Sequence, residues 1–336
     1  SMITVSSLHE LHELTGSRAA VVACGVFDGV HRGHQKLLDA LLDMAARLDA
    51  LPVALTFEPH PRTVLEFDAG PPRLTTREQK VELLHHYGAE AVVILDFTSE
   101  LAGLSARQFL HHYLLSSDIS LCGIVVGCNW RFGDGGKGDL AFLQAAGRKH
   151  GFEAVGVSEE VAGEELVSST RIREAIGRGD LESAAAMLGR LFAVRGTVIR
   201  GKGIAKSQLE RATANLDPDE LLLPPPGVYA ARSRRIPSEQ CRDEVPGMIY
   251  DAVVYIGTAP TIHRKDVPGN AILEVHLFDC DEELYGRQLE VSLLSFIREE
   301  QSFPNLEALK KQIGHDIETA RRKCRNTPAY NGFPKL

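Results

Sequence analysis

The chain has 336 residues, enough for two domains at roughly 150 residues each. Hydrophobic residues make up 44% and charged residues 24%, which supports ordinary folded cores and argues against disorder. The formal net charge of −8 disfavours a nucleic-acid binder, and no apolar run is long enough to span a membrane. The N-terminus has no hydrophobic signal region and the six cysteines form no Cys-x-x-Cys pair, so we expect reduced thiols in a cytoplasmic protein.

The first half of the chain alternates apolar strands with helices. AAVVACGVF predicts a buried strand, and RGHQKLLDALLDMAARL directly after it has helical spacing. The alternation continues with the strands PVALTF, AEAVVILDF, CGIVVG and FEAVGV and the helices TREQKVELLHHYG, SARQFLHHYLL and DLAFLQAAGRKHG. This order predicts an α/β fold with a parallel sheet covered on both faces, which binds ligands beyond the carboxyl ends of its strands.

The pattern changes near residues 187–192, after two short helices, SSTRIREAIGRG and DLESAAAMLG. Five segments then have the pattern of strands: LFAVRGTVIRG, GVYAARSR, MIYDAVVYIG, AILEVHLFD and QLEVSLLSFI. Short strands with frequent turns predict a small antiparallel barrel or sandwich, followed by the terminal helix LEALKKQIGHDIETARRK. We therefore expect one domain over 1–187, a second over 188–325 and a loose polar tail over 326–336.

The stretch GVFDGVHRGHQKLL, residues 25–38, places two histidines where a strand ends and a helix begins. His31 and His34 are three residues apart, so on a helix they share a face. Glycines beside them allow close approach, and the free N–H groups of a helix start attract anions. Two other interpretations stay open at this point: ordinary surface histidines, or a His-x-x-His metal pair, for which no third ligand is evident.

A second motif, VSSTRIREAIGRGD, places hydroxyl groups and arginines at a predicted helix start. Ser169 and Thr170 can cap the helix, but Arg173 opposes the positive end of the helix dipole. A bound phosphate would remove that conflict, whereas the alternative is an ordinary cap with solvated arginines. A third motif, GCNWRFGDGGKGD, follows a strand and presents Asn129 and Trp130 before a glycine-rich loop, or is simply a turn.

Together these segments resemble the nucleotidyltransferase superfamily that carries His-x-Gly-His and a later Ser-Ser-Thr-x-x-Arg motif. GVFDGVHRGHQ, TFEPHP, GCNWRFG and SSTRIREAIGRGDLESAAAMLGR follow in the order seen in bacterial FAD synthetases. The chain thus resembles the bifunctional riboflavin kinase/FAD synthetase family, which implies a Rossmann-like nucleotidyltransferase domain before a riboflavin kinase barrel. In the implied reaction, the FMN phosphate attacks the α-phosphate of ATP and gives FAD and pyrophosphate, which requires positioning and charge stabilisation.

The resemblance also implies roles for residues of the first half. His31 and His34 would hold the ATP phosphates and stabilise charge as pyrophosphate leaves. Further contacts to ATP and its phosphates would come from Gly25, Phe27, Asp28, Gly33, Ser169, Thr170 and Arg173. The flavin side would be lined by Phe57, Pro59, His60, Pro61 and Asn129. Mg²⁺ would accompany ATP and bridge its phosphate oxygens.

The second half resembles riboflavin kinase, because GVYAA, YIGTAPT, LEVHLFD, LYG and FIREEQSF appear in family order. The resemblance implies that Glu274 is the general base for the riboflavin 5′-hydroxyl. In the stretch RGKGIAKSQLERATANLD, it assigns ATP binding to Gly201, Lys202 and Gly203 and the Mg²⁺-binding oxygens to Thr213 and Asn215.

That stretch departs from the family pattern. Ala212 stands where the family has proline, Glu210 and Arg211 replace Gly-Phe, and glycines are missing after Gly203. Fewer glycines restrict a loop that must wrap phosphates, so a monofunctional FAD synthetase with a silent kinase domain is the nearest alternative.

Other classes of protein fit less well. A non-catalytic flavin or nucleotide sensor and another transferase of the superfamily remain alternatives, while a dehydrogenase is disfavoured because no Gly-x-Gly-x-x-Gly follows the first strand. The expected partners are small-molecule substrates, with neither nucleic acid nor membrane, and self-association stays open.

Overall fold

A computed structural model describes residues 2–16, 18–65, 70–116, 118–199, 213–218, 220–237, 248–258, 271–281 and 283–327. The chain divides into two compact units, one formed mainly by Ser1–Arg73 and Arg77–Ser169 and the other by Leu74–Thr76 and Thr170–Phe333. The domain bounds 1–187 and 188–325 stay a prediction.

A parallel sheet of six strands is the centre of the first unit. The strands are β1 (Ile3–Val5), β2 (Ala20–Cys24), β3 (Leu51–Glu58), β4 (Ala91–Asp96), β5 (Leu121–Gly127) and β6 (Glu153–Val157). Their order across the sheet is β1-β4-β3-β2-β5-β6, and every neighbouring pair is parallel. The predicted α/β fold with a parallel sheet is confirmed.

Helices cover both faces of this sheet. They are α1 (Leu8–Thr15), α2 (Arg32–Leu48), α3 (Pro61–Leu65), α4 (Arg77–His86), α5 (Ser99–Ala102), α6 (Ala106–Phe109) and α7 (Leu140–His150). Successive residues of β2 belong to different cores, because Val22 packs with the cluster that includes α1 and α6, and Val21 with the cluster that includes α2 and α4. A strand buried on both faces reads as one continuous apolar run, which is the pattern that the sequence shows.

Some elements of the first unit differ from the sequence pattern. β1 and α1 lie in the polar N-terminal segment, where the patterning predicts no element. The N-cap of α1 is Ser7, whose side chain accepts a hydrogen bond from the N–H of Glu10. The single helix predicted over SARQFLHHYLL is α6 followed by a π-helical segment, Leu110–Leu115. A short hairpin, β7 (Val161–Ala162) with β8 (Glu165–Leu166), precedes α8 (Ser169–Gly177).

The second unit is built around a closed antiparallel barrel. After α9 (Leu181–Leu188), its strands are β9 (Ala193–Ile199), β10 (Thr213–Asp217), β11 (Gly227–Ile236), β12 (Ile249–Thr258), β13 (Ala271–Leu277) and β14 (Gln288–Arg298). The order around the barrel is β10-β13-β12-β11-β14-β9. The predicted barrel is confirmed, and closure removes sheet edges. β10 is a strand that the sequence pattern did not predict, since its residues were assigned only a metal-binding role.

The terminal helix α10 (Leu306–Asn326) packs on the outside of the barrel. Arg298 of β14 holds it through two hydrogen bonds to Asp316, of 2.9 and 2.7 Å, and Arg232 donates to the carbonyl oxygen of Cys324 at 2.6 Å. Asp316 is 1% exposed, so this ion pair is shielded from solvent. The helix is three residues longer than LEALKKQIGHDIETARRK predicts, and residues 328–336 of the expected tail lie outside the described part of the chain.

Two further observations concern the cysteines and the helices of the described residues. The described cysteines are free and are Cys24, Cys122, Cys128, Cys280 and Cys324. Burial raises the pKa of the Cys24 thiol to about 12, which keeps it protonated. None of the helices in the described ranges has the length and apolar character needed to cross a bilayer.

We predict that Gly196→Ala destabilises the barrel. A Cβ at Gly196 of β9 would lie 2.2 Å from the carbonyl oxygen of Asp217 on β10, so the strands would have to separate. We expect a loss of ~1–3 kcal/mol in unfolding free energy, seen as a lower midpoint of thermal unfolding. Gly314→Ala in α10 is the matched control, because nothing lies within 4 Å of that Cβ and alanine favours a helix by up to about 1 kcal/mol. Equal midpoints for the two variants would contradict this packing argument.

Candidate functional sites

The first candidate site lies where β2 ends, at the carboxyl edge of the parallel sheet. The chain turns between Gly25 and His31 and then enters α2. Phe27, Gly29 and Val30 all have positive φ angles, of 56°, 83° and 38°. Such angles are unfavourable for residues with bulky or branched side chains, so the surrounding core must hold the turn. The side chain of Phe27 is fully buried, which leaves only its backbone for the predicted contact with ATP.

His31 and His34 form a stacked pair at the start of α2. Their ring centroids are 3.6 Å apart and their planes differ by 15°. His31 is the N-cap of α2, and its Nδ1 accepts a hydrogen bond from the backbone N–H of His34 at 3.4 Å. A Cβ at Gly33 would lie 3.1 Å from Cε1 of His31, so a larger residue there would push the ring by a few tenths of an ångström. The two imidazoles thus stand together at the positive end of a helix dipole, where an anion binds favourably.

The Ser-Ser-Thr motif reaches the same turn. The hydroxyl of Ser169 donates a hydrogen bond of 2.9 Å to the backbone oxygen of Asp28, which is itself only 5% exposed. Ser169 begins α8, where the sequence predicts a helix start. Thr170 and Arg173 follow on α8 and belong to the second compact unit.

Asn129 lies at the carboxyl end of β5 in a small polar cluster. Its amide nitrogen donates to the carboxylate of Glu159 at 3.0 Å. Lys36 of α2 binds the residues that follow β6, with its Nζ 3.1 Å from the hydroxyl of Ser158 and 3.4 Å from a carboxylate oxygen of Glu160. The end of β6 is therefore bound both to α2, which carries His34, and to Asn129.

The predicted flavin-side residues lie at the carboxyl end of β3. Phe57 is buried and its ring centroid is 5.7 Å from that of Phe97. Pro59 is exposed, whereas His60 and Pro61 are half-buried. The Nδ1 of His60 accepts a hydrogen bond of 3.2 Å from the backbone N–H of Arg62.

An aromatic cluster that the sequence analysis missed lies behind this strand end. The ring of Phe109 is 6.2 Å from Phe57 and 5.6 Å from Phe132, and Phe132 stacks on Trp130 with centroids 4.8 Å apart. A continuous aromatic path thus joins the ends of β3 and β5. The sequence signal was available in GCNWRFG, whose two aromatic residues are separated by one position.

A buried ion cluster at the end of β3 was also missed. Lys80 of α4 is 3% exposed and forms an ion pair with Glu58, and Arg73 binds the same carboxylate at 2.6 Å. Burial lowers the pKa of Lys80, and the neighbouring Glu58 opposes that shift by stabilising the ammonium form. The buried side of α4 includes Gln79 and Lys80 beside two leucines, so the sequence of this helix has no apolar stripe that would mark Lys80 as buried.

The second candidate site is on the outer face of the barrel, where β10, β13 and β12 lie side by side. Asn215 of β10 lies directly opposite Glu274 of β13, and Glu274 lies opposite Tyr255 of β12. Thr213 is likewise opposite His276, and its hydroxyl is 3.3 Å from Nδ1 of that ring. Residues directly opposite in an antiparallel pair share a face, so all these polar side chains project together. The structure therefore brings Thr213, Asn215 and Glu274 together, as the predicted kinase site requires.

Partial burial shifts the pKa values of the side chains on this outer face. It raises the pKa of Glu274 above the usual range for a glutamate and lowers that of His276, which the cation of Arg321 also lowers. It likewise raises the pKa of Tyr255, which therefore keeps its proton. The carboxyl group of Glu274 is thus more basic than an exposed glutamate.

We predict that two carboxyl groups close together in sequence, those of Glu274 and Asp279, have pKa values shifted in opposite directions. The pKa of Glu274 should lie above the ordinary value of about 4.3, whereas Asp279, which is bound to Arg321, should titrate below the ordinary value of about 3.9. Carboxyl ¹³C chemical shifts followed against pH measure both groups in one sample. Glu274→Gln assigns the high titration, and two unshifted pKa values would contradict the environments described.

Comparisons with known proteins identify a family for each half of the chain. Residues 14–171 match the family described as FAD synthetase, and residues 188–324 match riboflavin kinase. The bifunctional riboflavin kinase/FMN adenylyltransferase of Escherichia coli (strain K12) is 34% identical over 322 residues, covering 95% of this chain and 97% of that protein. The protein of the same name from Pseudomonas fluorescens is 36% identical over 321 residues, covering 95% and 97%.

A solved structure supports the same fold. The crystal structure titled as a macrolide-efflux protein from Streptococcus pneumoniae has a TM-score of 0.77 and 26% identity, covering 95% of this chain and 98% of that chain. The two family matches lie in tandem, and the relatives that share one name match over nearly their whole length. The chain belongs to the bifunctional riboflavin kinase/FMN adenylyltransferase family and contains both of its enzymatic domains, FAD synthetase and riboflavin kinase.

Proposed function

We propose that the first unit transfers AMP from ATP to FMN at the turn between β2 and α2. An oxygen of the FMN phosphate attacks the α-phosphorus of ATP, and the bond between the α-phosphorus and the bridging oxygen breaks to release pyrophosphate. The stacked pair of His31 and His34 carries this proposal, since two imidazoles at a helix start can donate hydrogen bonds to phosphate oxygens. Charge stabilisation of this kind, rather than a protein nucleophile, lowers the barrier to the transfer.

The remaining N-terminal residues would fix the two substrates. Gly25, Gly33 and Asp28 would contact the phosphates through their backbone, and Ser169 binds the backbone oxygen of Asp28 directly. Thr170 and Arg173 would add a hydroxyl and a cation for the phosphates. The flavin would lie along the strand end that carries Phe57 and Pro59, with His60, Pro61 and Asn129 at its margin. Positioning of both substrates supplies a large part of the rate, because it removes the entropy cost of bringing them together.

In the barrel, we assign phosphorylation of riboflavin to the outer-face site. The riboflavin 5′-hydroxyl attacks the γ-phosphorus of ATP, its proton passes to the carboxylate of Glu274, and ADP leaves. The cross-strand pairing of Glu274 with Asn215 supports this role, because it places the base beside an amide group whose oxygen can bind a metal ion. The raised pKa of Glu274 also suits a proton acceptor better than that of an exposed carboxylate.

The donor set on β10 fits a hard divalent cation. Thr213 supplies a hydroxyl oxygen and Asn215 an amide oxygen, and both project from the same face beside the carboxylate of Glu274. Oxygen donors of this kind suit Mg²⁺ carried by nucleotide phosphates, and when bound the ion would offset negative charge on the phosphates. Among the described residues, no cluster of three His, Cys, Asp or Glu side chains is placed to hold a metal ion.

The altered stretch before β10 bears on whether the kinase domain acts. Residues 200–212, including Gly201, Lys202 and Gly203, lie outside the described part of the chain. The face formed by β10 and β13 nevertheless pairs in register from Thr213 to Leu216. This register supports a working kinase site over the silent alternative.

We predict that the two activities can be removed separately. His31→Ala or His34→Ala should slow FAD formation from FMN and MgATP by about 10²–10³-fold, because a donor to the developing charge is lost. Glu274→Gln should slow FMN formation from riboflavin by about 10²-fold through loss of the base. A chromatographic time course with riboflavin, run beside one with FMN, measures both rates.

The controls use the bifunctional chain itself. Unaltered protein should convert riboflavin first to FMN and then to FAD, and the exposed His9→Ala variant should match it. FAD formed from FMN while riboflavin stays untouched would establish the monofunctional alternative. A near-normal FAD rate in either active-site histidine variant would remove the role proposed for that histidine.

The kinase rate should also depend on pH in a defined direction. Glu274 must be deprotonated to accept the hydroxyl proton, so kcat/KM for riboflavin should fall as pH drops through its raised pKa. The midpoint of this acid limb should lie above the ordinary glutamate value of about 4.3. Rates measured across pH at saturating MgATP test this, and loss of the limb in the residual activity of Glu274→Gln would assign it. A midpoint at or below the ordinary value would contradict the assignment.

A further inference from the structure

Lys80 is a deeply buried lysine that contacts two segments of the first candidate site. Its side chain lies on α4 and is 3% exposed. An ammonium group in such surroundings needs acceptors for its protons, since burial without them is strongly unfavourable. Lys80 has three: the carboxylate of Glu58, the backbone oxygen of Phe57 at 3.2 Å and the backbone oxygen of Val26 at 3.4 Å.

These three acceptors belong to two different segments of the candidate site. Val26 lies in the turn that leads from β2 to the histidine pair, next to Phe27 with its positive φ. Phe57 and Glu58 end β3, the strand that continues into the predicted flavin side. β2 and β3 are neighbours in the sheet and pair as far as Cys24 and Leu55, and the N–H of Gly25 still donates to the oxygen of Leu55 at 3.1 Å. At Val26, Lys80 links the turn to the end of β3 through its side chain.

A second donor acts on the same backbone oxygen. The hydroxyl of Thr56, a fully buried residue of β3, donates to the oxygen of Val26 at 2.9 Å. Arg73 meanwhile holds the Glu58 carboxylate in place at 2.6 Å. The oxygen of Val26 therefore accepts hydrogen bonds from the neutral hydroxyl of Thr56 and from the ammonium group of Lys80. The Glu58 carboxylate that pairs with Lys80 is in turn held by Arg73. Such a fully connected buried network specifies one arrangement of the groups that it joins.

We propose that Lys80 is a positioning residue for adenylyl transfer, which holds the phosphate-binding turn and the flavin-side end of β3 at a fixed separation. It touches neither substrate. The proposal rests on the function assigned above to the first site and adds that the distance between its two halves is held by the buried ammonium group of Lys80 together with the hydroxyl of Thr56. Displacement of reacting groups by about 1 Å can cost about 10²-fold in rate, so removal of this link should reach the chemistry.

The test compares Lys80→Met with Lys149→Met in the purified full chain. Methionine keeps the length of the side chain and removes the charge, and Lys149 is an exposed residue of α7 in the same unit. We expect Lys80→Met to lower kcat for FAD formation from FMN by about 10–100-fold, with a smaller change in KM for FMN or MgATP. Riboflavin kinase activity should stay near the value of Lys149→Met. The midpoint of thermal unfolding should be lower than that of Lys149→Met, because Glu58 keeps only Arg73 as a partner.

A second variant keeps the test decisive if Lys80→Met does not fold. Thr56→Val removes only the neutral donor to Val26, and it should lower the same kcat several-fold while kinase activity is retained. An unchanged adenylyl-transfer rate in either folded variant would overturn the proposal. So would a loss of both activities in proportion to a lowered unfolding midpoint, since that describes an ion pair with a purely structural role.

The outcomes also separate this inference from the proposed function. Unaltered protein that forms no FAD from FMN and MgATP would overturn both. An active unaltered chain with an equally active Lys80→Met variant would overturn the positioning role alone.

Discussion

The turn that leaves β2 adopts backbone angles that its own residues disfavour, and the first site depends on it. Phe27 and Val30 hold positive φ while their side chains are fully buried against β2 and α2. Burial of two apolar side chains stabilises what the backbone alone would not adopt. Hydrogen bonds to the backbone oxygens of Val26 and Asp28 then hold the outside of the turn. This packing fixes where α2 begins. The start of α2 in turn places the rings of His31 and His34 in their stacked arrangement.

The second site depends on the register of its strands, whereas the first site depends on a strained turn. Asn215, Glu274, Tyr255, Val228 and Arg298 are paired successively across five strands of the closed barrel. One end of this row carries the predicted metal ligand and base, and the other end binds α10 through Asp316. A slip of one residue between β10 and β13 would turn Asn215 and Thr213 toward the barrel interior. The buried inward neighbours Ala214 and Leu216 exclude that slip, so the barrel core protects the site's register.

The elements that sequence predicted well are those with strong hydrophobic periodicity. α2 spans the residues expected, and the apolar strands lie where continuous or alternating runs place them. The errors have physical causes. β1 and α1 are short and polar, so docking rather than pattern determines them, and the π-helical segment after α6 keeps the apolar spacing of a helix. β10 was overlooked because a strand of only five residues carrying Thr, Asn and Asp has little strand signal.

By itself, the sequence determined the two-part organisation, the α/β and barrel classes, and the motifs that carry His31, His34, Ser169 and Glu274. These are local signals: periodicity, turn glycines and residue types at fixed spacing. Only the tertiary structure decided which side chains meet. The stacking of the histidines, the bond from Ser169 to Asp28 and the register of Asn215 with Glu274 join residues through long-range packing. Lys80 shows the reason most plainly, since the role of a lysine on the buried side of a helix follows only from the buried acceptors that surround it.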